Sequence, residues 1–250
     1  MRGKDKSWHR YPLGSVQPGS LTGSLIVIEG TDGVGRSTQI EQLRPWLEVE
    51  GHAVVTTRWA RSPLLSDTIE RAKGGHELTV TTWSLLYAAD FADRLEQEII
   101  PALRAGFVVL ADRYVYTVFA RTAVMGADRA WTRELFGHAL VPDLILYLQT
   151  DVDHLIPRVI EGKGMNYWES GMHLSLGADL FDSFRTYQRR LIREYNHLAK
   201  EFHFSTIDAR QPIEAIQAAL RHRISAHLRA RRRRAPARAR RPARKTAAVA

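Results

Sequence analysis

The sequence contains no cysteine, so disulfides and thiolate metal sites are excluded. Nowhere does it approach the roughly 20 consecutive apolar residues that a membrane-crossing helix needs. Residues 1–22 carry charges and prolines but lack the apolar segment of a secretory signal. The expectation is therefore a cytoplasmic protein with no membrane part. Histidines such as His52, His76 and His138 show no metal-ligand spacing and read as ordinary. Acid is missing from one stretch: residues 229–250 hold nine arginines and one lysine with no Asp or Glu, so residues 1–228 carry a formal −1 although the whole chain carries +9. A basic balance usually suggests a polyanion partner, but here it belongs to the tail alone.

What is present is enough for one sizeable core, with 44% of 250 residues hydrophobic. Three regions separate by composition. Residues 1–23 form a leader and residues 229–250 an Arg/Ala/Pro tail, both too poor in apolar residues to offset the entropy of ordering and expected to be disordered. Residues 24–228 form the periodic body. Within it, short apolar runs alternate with amphipathic stretches, the βαβ pattern of a parallel sheet covered by helices. Strands are expected at Leu25–Glu29, Ala53–Thr57, Phe107–Ala111, Leu144–Gln149 and Phe202–Ile207. Helices are expected at Ser37–Val49, Leu78–Ile99, Arg129–Ala139, Val152–Glu161, Asp179–Glu201 and Pro212–Leu228. Pro45 should kink or shorten the first helix.

The most specific signal is Gly30-Thr31-Asp32-Gly33-Val34-Gly35-Arg36-Ser37-Thr38, directly after a strand and before a helix. Glycines at this spacing let backbone N–H groups turn inward on phosphate oxygens. The helix N-terminus adds its positive end, and the Ser37 hydroxyl is placed to ligate Mg²⁺. Residues Gly30 to Thr38 are thus the expected ATP-binding loop. The position that usually holds lysine is Arg36, which keeps the charge on a planar fork.

From Leu25 to Leu228 the sequence resembles the thymidylate kinase family through several motifs in order. Glu29 to Gln39 is similar to its phosphate loop. Thr57-Arg58 stands where the family has an arginine on the acceptor's phosphate, and Asp112-Arg113-Tyr114 matches its Asp-Arg-Tyr signature. Pro142 to Leu148 is similar to the fourth-strand entry, with Tyr167 and Glu169 at the lid. The resemblance implies an α/β, three-layer nucleoside monophosphate kinase fold around a five-stranded parallel sheet. It implies transfer of a phosphoryl group from ATP, with Mg²⁺, to dTMP, and a homodimer.

Residue roles follow from the same matches. Arg36, Asp112, Arg113 and Lys163 are the catalytic candidates. Asp32, Arg58, Tyr87, Arg113 and Tyr167 would line the acceptor side, and Ser37 with Asp112 would hold the metal. Phosphoryl transfer needs positioning and charge neutralisation rather than covalent chemistry, which is why clamps are nominated and no general base. Taken singly, Asp112 and Arg113 equally suit a structural ion pair, Tyr87 suits core packing, and Arg58 suits an ordinary surface charge. Their order after the loop is what raises them.

Two departures bear on the acceptor. One helical turn after Tyr87, where the family places an arginine that reads the thymine edge, stands Phe91, with Arg94 nearby. Between Pro157 and His173 the strong cations are Arg158 and Lys163 alone. A kinase for another nucleoside monophosphate or deoxynucleoside stays open on the first count. A weakly catalytic nucleotide-binding protein, with its tail on nucleic acid, stays open on the second.

Overall fold

The computed structural model describes residues 6–14, 16–75, 78–162 and 164–234. Five parallel strands form one sheet in the order β2-β3-β1-β4-β5. They are β1 Ser24–Glu29, β2 Val54–Arg58, β3 Val108–Asp112, β4 Leu144–Gln149 and β5 Ser205–Asp208. All six residues of β1 are buried, as expected of a central parallel strand covered on both faces. Side chains alternate along it. Leu25 and Val27 face a core built with Phe91, Tyr114, Leu191 and Tyr195. Ile26 and Ile28 face a second core with Leu43, Leu47, Leu220 and Ile224. Each such aliphatic side chain contributes about 1.5–3 kcal/mol on full burial.

The helices that supply these layers are α1 Arg36–Val49 and α9 Ile213–Arg234 on one face, and α3 Val80–Arg94, α5 Val115–Val124 and α8 Leu180–Glu201 on the other. Several start where a side chain caps the first turn. Asp151 accepts from His154 N at 2.9 Å to open α7 (Val152–Glu161), and Asp179 accepts from Asp182 N at 2.8 Å to open α8. Asp128 does the same for α6 (Arg129–Leu135), accepting from Trp131 N at 2.6 Å.

The five-stranded parallel α/β fold is as the sequence pattern implied, with departures at particular places. α1 runs through Pro45 to Val49 without shortening, because both Pro45 and Glu41, whose carbonyl loses a donor, are exposed to water. The helix expected over Leu78–Ile99 is instead α3, a widened π turn at Leu95–Ile99, and α4 (Ile100–Arg104). Pro101, near the start of α4, cannot donate into a continuous ladder, and the wider turn accommodates it. α6 stops at Leu135 rather than Ala139, since Gly137 lies against the leader, where an added Cβ would come 2.5 Å from Tyr11 Cε1.

Two helices were not foreseen: α2 (Ser66–Gly75), which is short and polar, and α5, whose Val/Thr/Tyr/Phe content reads as strand. The leader departs from its expectation over residues 6–11. Lys6 pairs with Asp143, and Trp8 bridges Leu140. His9 N donates to Ala139 O at 2.9 Å while its ring packs on Tyr116 and Phe202. The first tail residues also depart, because α9 continues to Arg234 and Arg231 donates to Ser24 Oγ at 3.1 Å. Residues 235–250 lie outside the described residues.

Candidate active site

The sheet places the chemistry at the carboxyl ends of β1 and β3, where Ile28 pairs with Asp112. In open α/β sheets this end is where ligands bind. The loop leaving β1 turns on glycines, two of which have no free space for a Cβ. At Gly30 (φ 152°) a Cβ would meet Val34 Cγ1 at 2.9 Å and Leu148 O at 3.0 Å. At Gly33 (φ 76°) it would lie 2.4 Å from Val159 Cγ2. α1 then begins at Arg36 without a side-chain cap, so its first-turn N–H groups are available to an anion.

Arg36 is 8% exposed and folds back into the loop. Its Nη1 donates to the carbonyls of Gly30 and Thr31, and its Nε donates to Asp112 Oδ1 at 2.8 Å. Ser37 Oγ donates to the other Asp112 oxygen at 3.2 Å. The guanidinium therefore ties loop, helix and β3 together, using two of its nitrogens at once. A serine hydroxyl beside a carboxylate is a hard-oxygen pair of the kind that suits Mg²⁺ when phosphates and water complete the shell.

Just beyond β3, Arg113 adopts φ 69°, a left-handed conformation uncommon outside glycine. Its N–H donates to Ile28 O at 3.1 Å, and its guanidinium is aimed at Asp32. Burial lowers the Arg113 pKa to about 10, still cationic at neutral pH. Beneath this point Glu29 is fully buried. It accepts from Tyr114 N at 2.8 Å, Thr117 Oγ1 at 2.8 Å and Tyr195 OH at 3.2 Å. Burial pushes the Glu29 carboxyl up to about 7 against those hydrogen bonds.

An aromatic cavity adjoins, walled by Trp83 and Tyr87 of α3, Arg121 of α5, Trp168 and His173 of the 164–175 segment, and Tyr187 of α8. Trp83 stacks on Tyr87 (5.6 Å, 24°) and meets Trp168 edge-on at 5.1 Å. A lining of stacked and edge-on aromatic rings suits a planar ring.

Several expected residues sit elsewhere. Arg58, with a side chain 57% exposed, reaches Glu41 at 3.7 Å. Tyr167 rests edge-on against Trp168 at 5.4 Å, and Trp168 is the one of the two that lines the cavity. Phe91 is 0% exposed and stacked on Trp59 (5.8 Å, 24°). Arg94 is buried under β2, donating to Thr57 Oγ1 at 2.8 Å, and does not line the cavity. Arg158 donates to Ala209 O at 2.7 Å. Lys163 lies outside the described residues. Arg121, Trp83 and Trp168 were missed. The first of these sits in a stretch to which the sequence pattern assigns no element, and aromatic spacing alone does not separate a ligand wall from core.

A model of the family described as thymidylate kinase matches residues 28–220. "Probable thymidylate kinase 2" of Saccharolobus solfataricus is 36% identical over 203 residues, which is 80% of this chain and 95% of the relative. The "Thymidylate kinase" of Clavibacter michiganensis subsp. michiganensis is 36% identical over 219 residues, covering 82% of this chain and 96% of the relative. "Probable thymidylate kinase" of Thermococcus gammatolerans is 31% identical over 204 residues, covering 78% and 92%. Loop, Asp-Arg pair and aromatic cavity gather in the span 28–220 that the family model matches, and with these relatives the chain belongs to the thymidylate kinase family.

Proposed function

We propose that this chain phosphorylates dTMP to dTDP with ATP as the donor. The observation that carries the reading is the juxtaposition of a glycine-turned anion loop, Arg36 included, with an arginine-rimmed aromatic cavity at the same sheet end, in a member of this family. The loop from Gly30 to Thr38 holds the donor phosphates through its main chain. Arg36, folded back into the loop, fixes it and adds positive charge to the donor side. An ionised oxygen of the acceptor phosphate forms the new bond to the γ-phosphorus as the bond to the β-bridging oxygen breaks and ADP departs. No general base is required, because the nucleophile enters deprotonated.

Ser37 and Asp112 are the residues that would hold Mg²⁺, which when bound neutralises charge on the transferring phosphates. Arg113 receives the acceptor phosphate with Asp32 holding it in place, and Tyr87 with Trp83 and Trp168 encloses the base. Lys163 belongs to the same proposal as a cation closing over the transferred group. Arg58 and Tyr167, on the acceptor side by family position, would reach the acceptor only by turning from the partners described above. A homodimer and a cytoplasmic location complete the reading. So does nonspecific, salt-sensitive nucleic-acid contact through residues 229–250, supported by ten cations without an acid. No described helix is long and apolar enough to cross a membrane.

The test is an acceptor panel with ATP and Mg²⁺, product identified by chromatography. Preference for dTMP over dUMP, dCMP and dGMP by more than about tenfold is expected; a smaller margin would remove thymidylate as the acceptor.

A further inference from the structure

Two arginines, on different elements, converge on one carboxylate, and one of them, Arg121, also lines the aromatic cavity. Arg113 Nη2 meets Asp32 Oδ1, and Arg121 Nη2 meets Asp32 Oδ2 at 2.5 Å. Asp32 is 5% exposed, so the junction is largely withdrawn from water and the charges in it are weakly screened. Arg113 follows β3 and is fixed from below by its bond to Ile28 O. Arg121 comes from the far end of α5, so the two side chains approach from separate directions. Glu169 is the further carboxylate whose charge both arginines feel.

Arg121 has a second property that Arg113 lacks. Among the described residues lining the aromatic cavity it is the only Arg or Lys. Arg58, expected on the acceptor side, instead lies opposite Glu41 at 3.7 Å, and Arg94 donates to Thr57 Oγ1 at 2.8 Å away from the cavity. Because the tip of Arg121 ends on the same carboxylate as Arg113, it lies at the loop side of the cavity. The aromatic wall of Trp83, Tyr87 and Trp168 is left to a ring.

We infer that Arg121 is the second arm of the clamp on the acceptor's phosphomonoester, with Arg113 the first and Asp32 the brace that holds both arms in place before the acceptor arrives. Two guanidiniums fixed in advance offer paired charge-assisted donors to a dianion at a lower ordering cost than free side chains. This arrangement makes the site select a monophosphate over the uncharged nucleoside. The inference rests on the kinase reading above.

The experiment titrates dTMP and thymidine, each calorimetrically, into the full chain and into Arg121→Met and Arg121→Lys, with ATP titrated as a check on folding. The expected result is that Arg121→Met weakens dTMP by about tenfold to a hundredfold while thymidine changes by less than about twofold. Arg121→Lys should recover part of the loss, since it restores charge without the fork. Equal weakening of dTMP and thymidine would reduce Arg121 to a support for Asp32 and overturn the inference, as would unchanged dTMP affinity. If Arg121→Met loses ATP binding through misfolding, the dTMP-to-thymidine ratio in Arg121→Lys decides between the same two outcomes. A wild-type chain that binds ATP but neither acceptor overturns the kinase reading first, and the inference with it.

Discussion

The two halves of the cleft are built by different means. On the proposed donor side the geometry is set by backbone: glycines at positive φ, an uncapped helix start, and Arg36 bonded to two loop carbonyls. On the proposed acceptor side the wall is made of side chains from four separate places, with Trp83, Tyr87, Arg121, Trp168 and Tyr187 meeting only because α3, α5, the 164–175 segment and α8 pack together. A backbone-made site depends on local conformation, so it survives side-chain variation around it. A side-chain box depends on long-range packing and fails wherever that packing fails.

The sharpest way to break this contrast is at Phe91, which stacks on Trp59 and meets Tyr114 edge-on at 5.0 Å beneath the cavity. Phe91→Ala should destabilise the chain by about 3–5 kcal/mol, read by denaturant unfolding. In the surviving folded fraction the KM for dTMP should rise while ATP affinity holds. Parallel losses of ATP and dTMP binding would show the two sides to be one cooperative unit.

Glu29 lies under both sides, and its effect is read through pH. Burial raises its carboxyl from the ordinary 4.5 to about 7, so the folded chain keeps a proton that the unfolded chain releases between those values. Its contribution therefore makes stability greatest below about pH 4.5, falling as pH rises through 7 and level above. Glu29→Gln should flatten that fall, a difference on the order of a few kcal/mol, while keeping an acceptor for Tyr114 N. Unfolding measured from pH 5 to 8 with the same slope in both proteins would place the titration elsewhere.

Gly33→Ala probes the donor side alone. Its Cβ would fall 2.4 Å from Val159 Cγ2 at φ 76°, a strain of about 1–3 kcal/mol. Equilibrium binding should show weakened ATP with little change in thymidine. The smallest effect is expected at Arg58, an exposed side chain opposite Glu41 at 3.7 Å. Arg58→Ala should change stability by less than about 1 kcal/mol and dTMP affinity by less than about tenfold. A larger loss of dTMP affinity would mean that Arg58 swings inward when the acceptor binds.

The same contrast explains what was legible in the sequence. The donor loop could be read residue by residue because a glycine at a stated spacing is itself the geometry. β1 and β4 were equally plain, since buried parallel strands appear as unbroken apolar runs. Arg36 was visible as a departure, but not its bonds to Gly30, Thr31 and Asp112, which needed three elements in place.

On the acceptor side Tyr87 came from motif order, whereas Arg121 lay hidden in α5, where β-branched and aromatic residues favour strand until packing against α8 overrides them. The Arg58 and Arg113 expected as a clamp lie on different carboxylates, Glu41 and Asp32, for the same reason: spacing gives a residue's strand end, not the direction of a long side chain. The ordering of residues 6–11 escaped for want of any periodic signal in Lys-Ser-Trp-His-Arg-Tyr. Their anchors are Asp143, Leu140 and an aromatic group more than 100 positions away.

The most direct measurement is steady-state dTDP formation from ATP and dTMP with Mg²⁺ by the chain as it stands, by Arg36→Lys and by Arg36→Ala. Robust turnover by the wild type, kept within about tenfold by lysine and lowered by about 10²–10³ by alanine, is the predicted pattern, because the alanine variant loses both the loop brace and the charge. Wild-type protein that binds ATP yet forms no dTDP, or an alanine variant as fast as wild type, would contradict a kinase working through an arginine-braced phosphate loop.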